Sequence, residues 1–514
     1  MQSLPEQFNA ATFFVDRHLA EGRGGRPAFR TGGRTVTYAE VAESVDRCGN
    51  ALVALGLEME QRALIVLNDT PAFAAAFWGT AKLGAVAVPV NPLMTALEYE
   101  FLLNDSRARV AIVEASVAAR LLAVRHRCPH LRAVVVVGGP AVPGTRDFAE
   151  LLAEAAPSLE AARTVREDIA YWGYTSGSTG KPKAAVHSHK DFVAAADLVG
   201  VGIFGLGPDD LVFSASKLFF AFGLGNSLYF PARVGAASVL VPERLDAERA
   251  FDVIAAERPS VFFTVPTLYA RMLAVDEAER RWDLSSLRYC VSSGEALPPA
   301  IFDAWAERFG LELVEVVGST EALHDFIANR PGQARRGASG RVVPGFEARL
   351  VDEAGAPVPD GTVGHLLVKG ETTAPYYWNR LERTRATMQG EWLRTGDMFS
   401  RDADGFFYFA GRSDDMLKVA GMWVSPSEIE AQLVEHPAVL EAGVVGMADG
   451  EGLTRPHAFV VLKPGWTPSR DLARALEEAV RTGGGHRTPA AVAFVDDLPK
   501  TATGKVQRFR LREA

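Results

Sequence analysis

Short apolar runs alternate with helix-length segments through the first two-thirds of the chain. The run at residues 64–67 ends in Asn68 and Asp69, and a helix-length segment at 71–83 separates it from the next run at 85–90. Similar strand-like runs recur at residues 110–113, 133–137, 211–214, 238–241 and 261–265. Strands that alternate with helices form parallel sheets with helices packed on both faces. The pattern predicts an α/β fold built on helix-covered, mostly parallel sheets.

The pattern changes after about residue 340. Short strands are predicted at 347–351, 364–368 and 405–409, and turns rich in Asp and Gly separate them, which indicates a β-rich subdomain. Beyond Arg412 the chain has an α+β pattern of its own, with helices predicted at 426–436 and 469–481 and strands at 440–445, 457–462 and 492–495. We therefore predict two domains, a large one at residues 1–411 and a small one at 412–514.

The charge balance excludes two classes of partner. The chain has 54 Lys and Arg residues against 63 Asp and Glu residues, a net charge of -9. An acidic chain of ordinary hydrophobic content is not expected to bind nucleic acid or an anionic membrane surface. The most apolar region, residues 63–90, contains Asn68, Asp69, Pro71 and Lys82, so we predict no membrane-spanning helix.

The cysteines and the N-terminal residues indicate the cellular compartment of the protein. The three cysteines, Cys48, Cys128 and Cys290, are far apart and match no metal-binding spacing, so we expect buried, reduced thiols. The first residues contain no basic segment followed by an apolar one, as a signal peptide would. We therefore expect a cytoplasmic protein.

The stretch from Tyr174 to Lys183 reads YTSGSTGKPK and is the most informative in the chain. Glycine lets a backbone approach a ligand closely, and hydroxyl and ammonium groups bind phosphate oxygens. Pro182 stands where a Walker A loop requires Ser or Thr, so the stretch is not that motif. We predict a polyphosphate-binding loop, with a polar surface turn as the alternative. Its candidate ligands are Thr175, Ser176, Gly177, Ser178, Thr179, Gly180 and Lys183.

Four further segments combine charged residues with glycine. Glu321 follows the apolar run at 313–317 and is suited either to bind Mg²⁺ beside phosphate oxygens or to begin a helix. Asp397, in Thr-Gly-Asp, is suited to accept ribose hydroxyls, and the alternative is an ordinary loop carboxylate. The segments at 411–418 and 499–505 either contact a ligand or are, respectively, a solvated linker and a basic tail.

In this order, the five segments resemble the motifs of the adenylate-forming superfamily of acyl-CoA and aryl-CoA ligases, luciferases and peptide-synthetase adenylation domains. The resemblance covers nearly the whole chain. The segments at 217–226, 293–298 and 494–500 are similar, more narrowly, to the benzoate-CoA ligase branch. The resemblance implies that a carboxylate attacks the α-phosphate of ATP, giving an acyl-adenylate and pyrophosphate. Coenzyme A then displaces AMP to give a thioester.

The resemblance also assigns roles by motif position. It implies that the loop at 175–183 holds the β- and γ-phosphates, that Glu321 binds Mg²⁺, and that Lys505 stabilises the charge developing at the α-phosphate. It implies a mobile C-terminal domain, with Asp414 at the hinge. Thr320 would lie near the α-phosphate. The other predicted ATP ligands are Ser293, Gly294, Glu295 and Ala296 along the adenine, Asp397 and Arg412 at the ribose, and Gly318 and Ser319.

Two groups of residues matched by position concern the other substrates. The resemblance places Phe220, Lys418 and Gly421 along the coenzyme A tunnel. It implies an acid pocket that suits a flat aromatic ring better than a long acyl chain, because it combines small residues with an aromatic one. The predicted pocket residues are Ala221, Phe222, Gly223, His324 and Asp325.

Asp325 is the residue on which the choice of acid depends. A carboxylate at an aromatic pocket is costly unless it is paired. It either binds an amino or hydroxyl group on the substrate ring, pairs with His324 or Arg330, or turns to solvent. We therefore expect a ring-substituted benzoate, with 2-aminobenzoate (anthranilate) slightly ahead of a hydroxybenzoate.

The motifs leave two rival functions. One is a stand-alone enzyme that adenylates an aryl acid and loads it onto a carrier protein supplied in trans. The other is a catalytically inactive ligand-binding homologue, which the presence of Glu321, Asp397, Arg412 and Lys505 disfavours. Our prediction is an aryl-CoA ligase, monomer or homodimer, that uses ATP, Mg²⁺ and coenzyme A.

Overall fold

The structure, a computed structural model, describes residues 4–140, 142–175, 182–419, 422–448, 454–481, 488–500 and 506–512. The first sheet has seven strands, and all neighbouring pairs are parallel except the last, which is an antiparallel hairpin. Its strands are buried Val-, Ile- and Ala-rich runs, as expected for a sheet covered on both faces. In spatial order they are Arg146–Asp147, Ala133–Val137, Val110–Glu114, Arg62–Val66, Val86–Pro89, Ile169–Thr175 and Lys183–Ser188.

The second sheet has nine strands, with a parallel centre and antiparallel strands added at both edges. One edge addition, Asp325–Ala328, returns from the end of the central strand Leu313–Gly318 and places the predicted site residue Asp325 opposite Gly318. In spatial order the strands are Arg341–Val342, Asp325–Ala328, Leu313–Gly318, Tyr289–Ser292, Val261–Thr264, Leu211–Ser214, Ala237–Val239, Pro27–Thr31 and Arg34–Thr37.

Helices cover both sheets. Two helices, Tyr38–Ala54 and Pro71–Lys82, cross closely because a glycine stands in each: a Cβ on Gly79 would lie 3.1 Å from the Gly49 nitrogen. The other α-helices of this region are Arg17–Ala20, Ala96–Ser106, Ala115–Leu122, Phe148–Glu154, His189–Ala195, Ala221–Leu224, Phe230–Val234, Ala247–Glu257, Pro266–Leu273, Ala278–Arg281 and Pro299–Phe309. Three π-helical segments, Thr12–Asp16, Ala196–Val201 and Gly225–Tyr229, continue directly into or out of helices.

The predicted β-rich subdomain is a five-stranded antiparallel sheet. Its strands are Glu347–Val351, Gly364–Lys369, Met388–Gln389, Trp392–Arg401 and Phe407–Arg412, with one helix at Leu381–Thr387. The last strand begins two residues later than the predicted 405–409. Gly405 belongs instead to the turn, where its φ is 82° and its N–H bonds to the Asp402 carbonyl.

The C-terminal part of the chain has a core of its own. A hairpin at Leu417–Val419 and Met422–Val424 leads to a three-stranded sheet of Val439–Ala448, Thr454–Leu462 and Ala491–Phe494. Its helices are Pro426–Val434, Arg470–Arg481 and Arg508–Leu511. The predicted fold class is thereby confirmed, while the boundary at residue 411 stays a prediction. Within the ranges given above, none of the helices has the length and apolar character needed to cross a membrane.

The strand Leu313–Gly318 contains a buried carboxyl group, Glu315, close to the site. The Ser339 hydroxyl donates a 2.9 Å hydrogen bond to its Oε1. Burial, only partly offset by hydrogen bonds, raises the pKa of Glu315 from 4.5 to about 7. The folded protein therefore binds this proton more tightly than the unfolded chain does, and wild-type stability falls as pH rises from about 4.5 through 7.

Glu315→Gln should remove that pH dependence, because the amide does not ionise. A pKa raised from 4.5 to about 7 corresponds to about 3 kcal/mol of stability lost at alkaline pH. The midpoint of thermal unfolding of the variant, relative to wild type, should therefore rise between pH 4.5 and pH 8. Glu307→Gln, at an exposed helical position, is the control and should follow wild type. A constant difference for Glu315→Gln would contradict the prediction.

Candidate active site

The predicted phosphate-binding loop connects two antiparallel strands at the edge of the seven-stranded sheet. Thr175 and Lys183 are opposite each other in the register of this strand pair, so the loop begins and ends at one point. The loop residues predicted as ligands, Ser176, Gly177, Ser178, Thr179 and Gly180, lie outside the described residues, and their role stays a prediction.

Lys183 reaches from this hairpin to Glu321, the predicted magnesium ligand. Its Nζ lies 3.3 Å from Glu321 Oε1, and the Tyr377 hydroxyl donates a 2.5 Å hydrogen bond to the same oxygen. Lys183 Nζ also donates to the Tyr377 hydroxyl and lies 3.9 Å from the centroid of its ring. Burial opposes ionisation of Glu321, but the Lys183 ammonium and the Tyr377 hydroxyl outweigh it and lower the pKa of this carboxyl. Glu321 is therefore an ionised carboxylate with a cation beside it.

A tight turn at the end of a central strand presents Glu321. The Ser319 hydroxyl accepts a 3.2 Å hydrogen bond from the Ala322 N–H and begins a single 3₁₀ turn at Thr320–Ala322. Gly318 lies under this turn, and a Cβ there would lie 2.5 Å from the His324 carbonyl oxygen. Only glycine fits at this position without displacing the backbone.

The predicted ribose ligands face each other across two paired strands. Asp397 and Arg412 are partners in the strand register, and Arg412 Nη1 lies 2.8 Å from Asp397 Oδ1. Gly396, with φ of 79°, lets the guanidinium pass over the backbone, since a Cβ there would lie 3.0 Å from Arg412 Nη2. The pair offers a carboxylate and a half-exposed guanidinium side by side, a combination that suits hydroxyl groups.

The predicted adenine segment follows the strand Tyr289–Ser292. Ser293 is buried, and its N–H bonds to the carbonyl of Thr264 in the neighbouring strand. Gly294 adopts a φ of 93°, which turns the chain away from the sheet, and Ala296 is half-buried beyond it. The segment therefore lies at the carboxyl end of the parallel strands, on the same side as Glu321.

The side chain of Glu295 contacts the C-terminal part of the chain. Its Oε1 accepts a 3.1 Å hydrogen bond from the Val506 N–H, and its Oε2 accepts a 3.4 Å hydrogen bond from the Thr267 hydroxyl. Val506 is the residue after Lys505 in the sequence. The structure thus ties the end of the predicted catalytic segment to the edge of the nucleotide site.

Ion pairs reinforce this contact. Arg271 Nε lies 3.1 Å from Glu441 Oε1, and Arg271 Nη2 lies 3.2 Å from Asp497 Oδ1. Arg271 of the large domain therefore pairs with two carboxylates of the C-terminal part. Lys500 pairs with the same two carboxylates.

The predicted acid-pocket residues come together behind the Glu321 turn. The rings of Phe222 and His324 have centroids 5.5 Å apart, and His324 Nε2 lies 3.3 Å from the Phe222 carbonyl oxygen. His324 Nδ1 lies 2.9 Å from Asp325 Oδ2, yet the directions complete no hydrogen bond. Asp325 is 2 % exposed, and Arg330 bonds instead to the Gly202 carbonyl, so the carboxylate meets neither solvent nor that arginine.

A short helix, Ala221–Leu224, begins after Phe220 and carries the other predicted pocket residues. Ala221 is buried in its first turn. Gly223 packs against the backbone of the preceding segment, where a Cβ would lie 2.2 Å from the Lys217 carbonyl oxygen. Phe220 itself is half-buried, with its ring 4.4 Å from that of Phe219.

The remaining predicted residues lie in or near the C-terminal part. Asp414 is exposed in the turn between the strands Phe407–Arg412 and Leu417–Val419. Gly421, Lys505 and the side chain of Lys418 lie outside the described residues, so their roles stay predictions.

Two family models match the sequence. The AMP-binding enzyme model matches residues 16–378, which is more than half of the chain, and the AMP-binding enzyme C-terminal domain model matches residues 428–505. The chain belongs to the AMP-binding enzyme family. The resemblance to adenylate-forming enzymes, stated from the motifs, is confirmed.

Several known proteins are similar to this AMP-binding enzyme over nearly its whole length. It is 44% identical to a benzoate–CoA ligase of Thauera aromatica, with 99% of this chain and 97% of that protein covered. It is also 44% identical to a 4-hydroxybenzoate–CoA/benzoate–CoA ligase of Rhodopseudomonas palustris, with 98% and 94% covered. The crystal structure of the anthranilate CoA ligase AuaEII in complex with anthranoyl-AMP matches with a TM-score of 0.96 at 42% identity, covering 99% and 98%.

The residues of this AMP-binding enzyme fit a magnesium ion. The described part of the chain contains no cluster of three or more His, Cys, Asp or Glu side chains that would enclose a metal. Mg²⁺ commonly takes only one or two carboxylates and completes its shell with water and phosphate oxygens. The ionised Glu321, which lies beside Lys183 of the phosphate-loop hairpin, is a donor of this kind.

Sequence reasoning missed several residues that shape the site. Tyr377 contacts both Glu321 and Lys183. Gly225 makes room for the His324 ring, since a Cβ there would lie 2.5 Å from Nε2. No local signal marks Tyr377, which is 56 residues beyond Glu321 in the sequence. Gly225 stands in a recognised motif, but its role depends on a ring that packs against it from another strand.

Tyr377→Phe should weaken use of Mg²⁺ and ATP, because it removes the hydrogen bond that orients the Glu321 carboxylate. A hydrogen bond to a charged group contributes about 1.5–3 kcal/mol, so kcat/KM for ATP should fall roughly 10- to 100-fold. This kcat/KM is measured from acid-dependent pyrophosphate release. The neighbouring, more exposed Tyr376→Phe is the matched control and should stay near wild type. Equal rates for both variants would contradict the assigned role.

Proposed function

We propose that this chain is an ATP-dependent aryl-CoA ligase that acts on a ring-substituted benzoate, with 2-aminobenzoate ahead of a hydroxybenzoate. The observation that carries the proposal is the buried His324–Asp325 pair beside Phe222, two residues beyond the Glu321 turn. This pair connects the predicted aromatic pocket to the predicted nucleotide site. The predicted enzyme class, an acid–thiol ligase forming AMP and pyrophosphate, is confirmed by relatives that are CoA ligases.

In the first half-reaction a substrate carboxylate oxygen attacks the α-phosphorus of ATP, and the bond to the bridging oxygen of the β-phosphate breaks. When bound, Mg²⁺ supplies charge neutralisation at the phosphate oxygens. Lys183 is partly buried beside Glu321, and burial lowers its pKa while Glu321 opposes that shift. Lys183 is thus placed to pair with phosphate oxygens that arrive at this point.

In the second half-reaction the sulfur of coenzyme A attacks the acyl carbon, AMP leaves, and the thiol proton goes to solvent. Asp414 lies in an exposed turn between the strands Phe407–Arg412 and Leu417–Val419. The contact between Glu295 and Val506 supports an orientation suited to the first half-reaction, since it brings the neighbour of Lys505 to the nucleotide site. We propose that rotation about Asp414 breaks this contact before the thiol enters.

The unpaired polar atoms of the pocket support a substituted ring. Asp325 Oδ2 and the Tyr229 hydroxyl are buried and complete no hydrogen bond among the described residues, although His324 Nδ1 lies 2.9 Å from Asp325 Oδ2. Burial, with the Asp325 carboxylate nearby, raises the pKa of the Tyr229 hydroxyl well above its usual range, so it stays a neutral donor. An amino or hydroxyl group on the ring gives these atoms a partner, whereas plain benzoate leaves them unsatisfied.

Asp325→Ala should therefore change which acid is preferred. We expect kcat/KM for 2-aminobenzoate to fall roughly 10- to 100-fold, the usual loss for an unsatisfied polar contact, while that for benzoate changes little. The measurement is thioester formation with benzoate, 2-aminobenzoate and the three hydroxybenzoates, for wild type and variant. If benzoate is the best substrate of both proteins, the substituted-ring proposal fails and the aryl-CoA ligase proposal stands.

Lys505→Ala should separate the two half-reactions. Removal of a positioned ammonium that stabilises transition-state charge should lower the adenylation rate by roughly 100-fold or more. Conversion of a supplied aryl-adenylate to the thioester should continue, because the proposed rotation withdraws Lys505 from the site before that step. Pyrophosphate release and thioester formation are measured separately. Equal losses in both assays would overturn the proposed alternation.

A further inference from the structure

Two buried histidines, His187 and His189, stand two positions apart and face opposite kinds of hydrogen-bonding group. Both are fully buried. His187 Nε2 lies 2.7 Å from the Thr320 carbonyl oxygen, and its Nδ1 lies 3.3 Å from Asp191 Oδ2. His189 Nδ1 accepts a 3.0 Å hydrogen bond from the Ala10 N–H. His187 therefore donates, whereas His189 accepts.

The groups around His187 leave it one role. A carbonyl oxygen only accepts hydrogen bonds, so the ring nitrogen 2.7 Å from the Thr320 carbonyl oxygen is the one that carries the hydrogen. Asp191 is fixed in turn, because its oxygens accept 2.9 Å and 2.8 Å hydrogen bonds from the Ser188 N–H and hydroxyl. The ring thus stands on a rigid base and directs its Nε2–H at Thr320.

Thr320 is confined on a second side. A Cβ on Gly173, in the strand before the phosphate loop, would lie 2.4 Å from Thr320 Cγ2. The Thr320 carbonyl belongs to the peptide plane that joins Thr320 to Glu321. A hydrogen bond that fixes this plane therefore fixes the directions in which both side chains leave the backbone.

We propose that His187 is a positioning residue for adenylation: its Nε2–H holds the Thr320–Glu321 peptide in the orientation that the first half-reaction requires. The proposal rests on the proposed function, which puts Thr320 at the α-phosphate and Glu321 at the magnesium ion. His187 touches neither substrate nor metal in this scheme. It acts through the backbone of the residues that do.

The test compares two substitutions of similar length. In His187→Gln the amide nitrogen reaches the place of Nε2 and keeps the donor, whereas His187→Met fills the space without one. His187→Met should lower kcat of acid-dependent pyrophosphate release about 10- to 100-fold, since small misplacements of reacting groups cost that much. His187→Gln should restore the rate to within about 5-fold of wild type, as one retained hydrogen bond predicts.

Two further readouts distinguish positioning from a general loss of structure. Thioester formation from a supplied aryl-adenylate should stay within about 3-fold of wild type in both variants, because the rate loss is confined to positioning for adenylation. His189→Met, an equally buried change two positions away, should lower the midpoint of thermal unfolding without lowering kcat below that midpoint. Should His187→Met not fold, His187→Asn replaces it, since its amide reaches Nδ1 and not Nε2.

The outcomes are separable. Equal rates for His187→Gln and for the variant without a donor at the Nε2 position would overturn the proposal. Equal losses in both half-reactions would also overturn it, and so would an equal loss of kcat in His189→Met. With wild type active, each of these results leaves the proposed function intact. No pyrophosphate release by wild type with any aryl acid would overturn the proposed function and this proposal together.

Discussion

A partly buried carboxylate needs a cation and a hydrogen-bond donor beside it, and the candidate site is arranged around that requirement at Glu321. Three distant parts of the chain meet on this one group: the phosphate-loop hairpin through Lys183, the end of a central strand, and the segment that carries Tyr377. Without the ammonium and the phenol, burial would favour the protonated form of Glu321. The charge balance at Glu321 therefore depends on groups from both large sheets.

Close backbone approach is the second constraint on the site. A side chain at Gly173, Gly318 or Gly225 would collide with Thr320, with the His324 carbonyl or with the His324 ring, respectively. Neighbouring elements therefore press the turn between the nucleotide site and the acid pocket from several directions. Such packing leaves little freedom for movement, which suits a site whose groups must be in place before the substrates react.

The sequence predicted the fold better than it predicted the contacts. The strands Ala133–Val137 and Leu211–Ser214 coincide with their apolar runs, because buried parallel strands tolerate few polar residues. Lys183 and Glu321, which the resemblance assigns to the phosphates and to the magnesium ion, lie side by side in the structure. The role of Tyr377 was beyond reach, since nothing in its local sequence distinguishes it from a core tyrosine. The geometry of the His324–Asp325 pair likewise depends on rings that only the folded chain brings together.

The contacts that hold the C-terminal part in place include ion pairs beside the apolar packing of Val434 and Leu440 on the core of the large domain. Arg271, which is more than one-third exposed, pairs with Asp497, which is mostly exposed, and with Glu441. Ion pairs at such positions weaken as dissolved salt screens them over a Debye length of about 8–10 Å. Added salt therefore weakens the pairing of Arg271 with Asp497, whereas the pairing with the buried Glu441 is screened less.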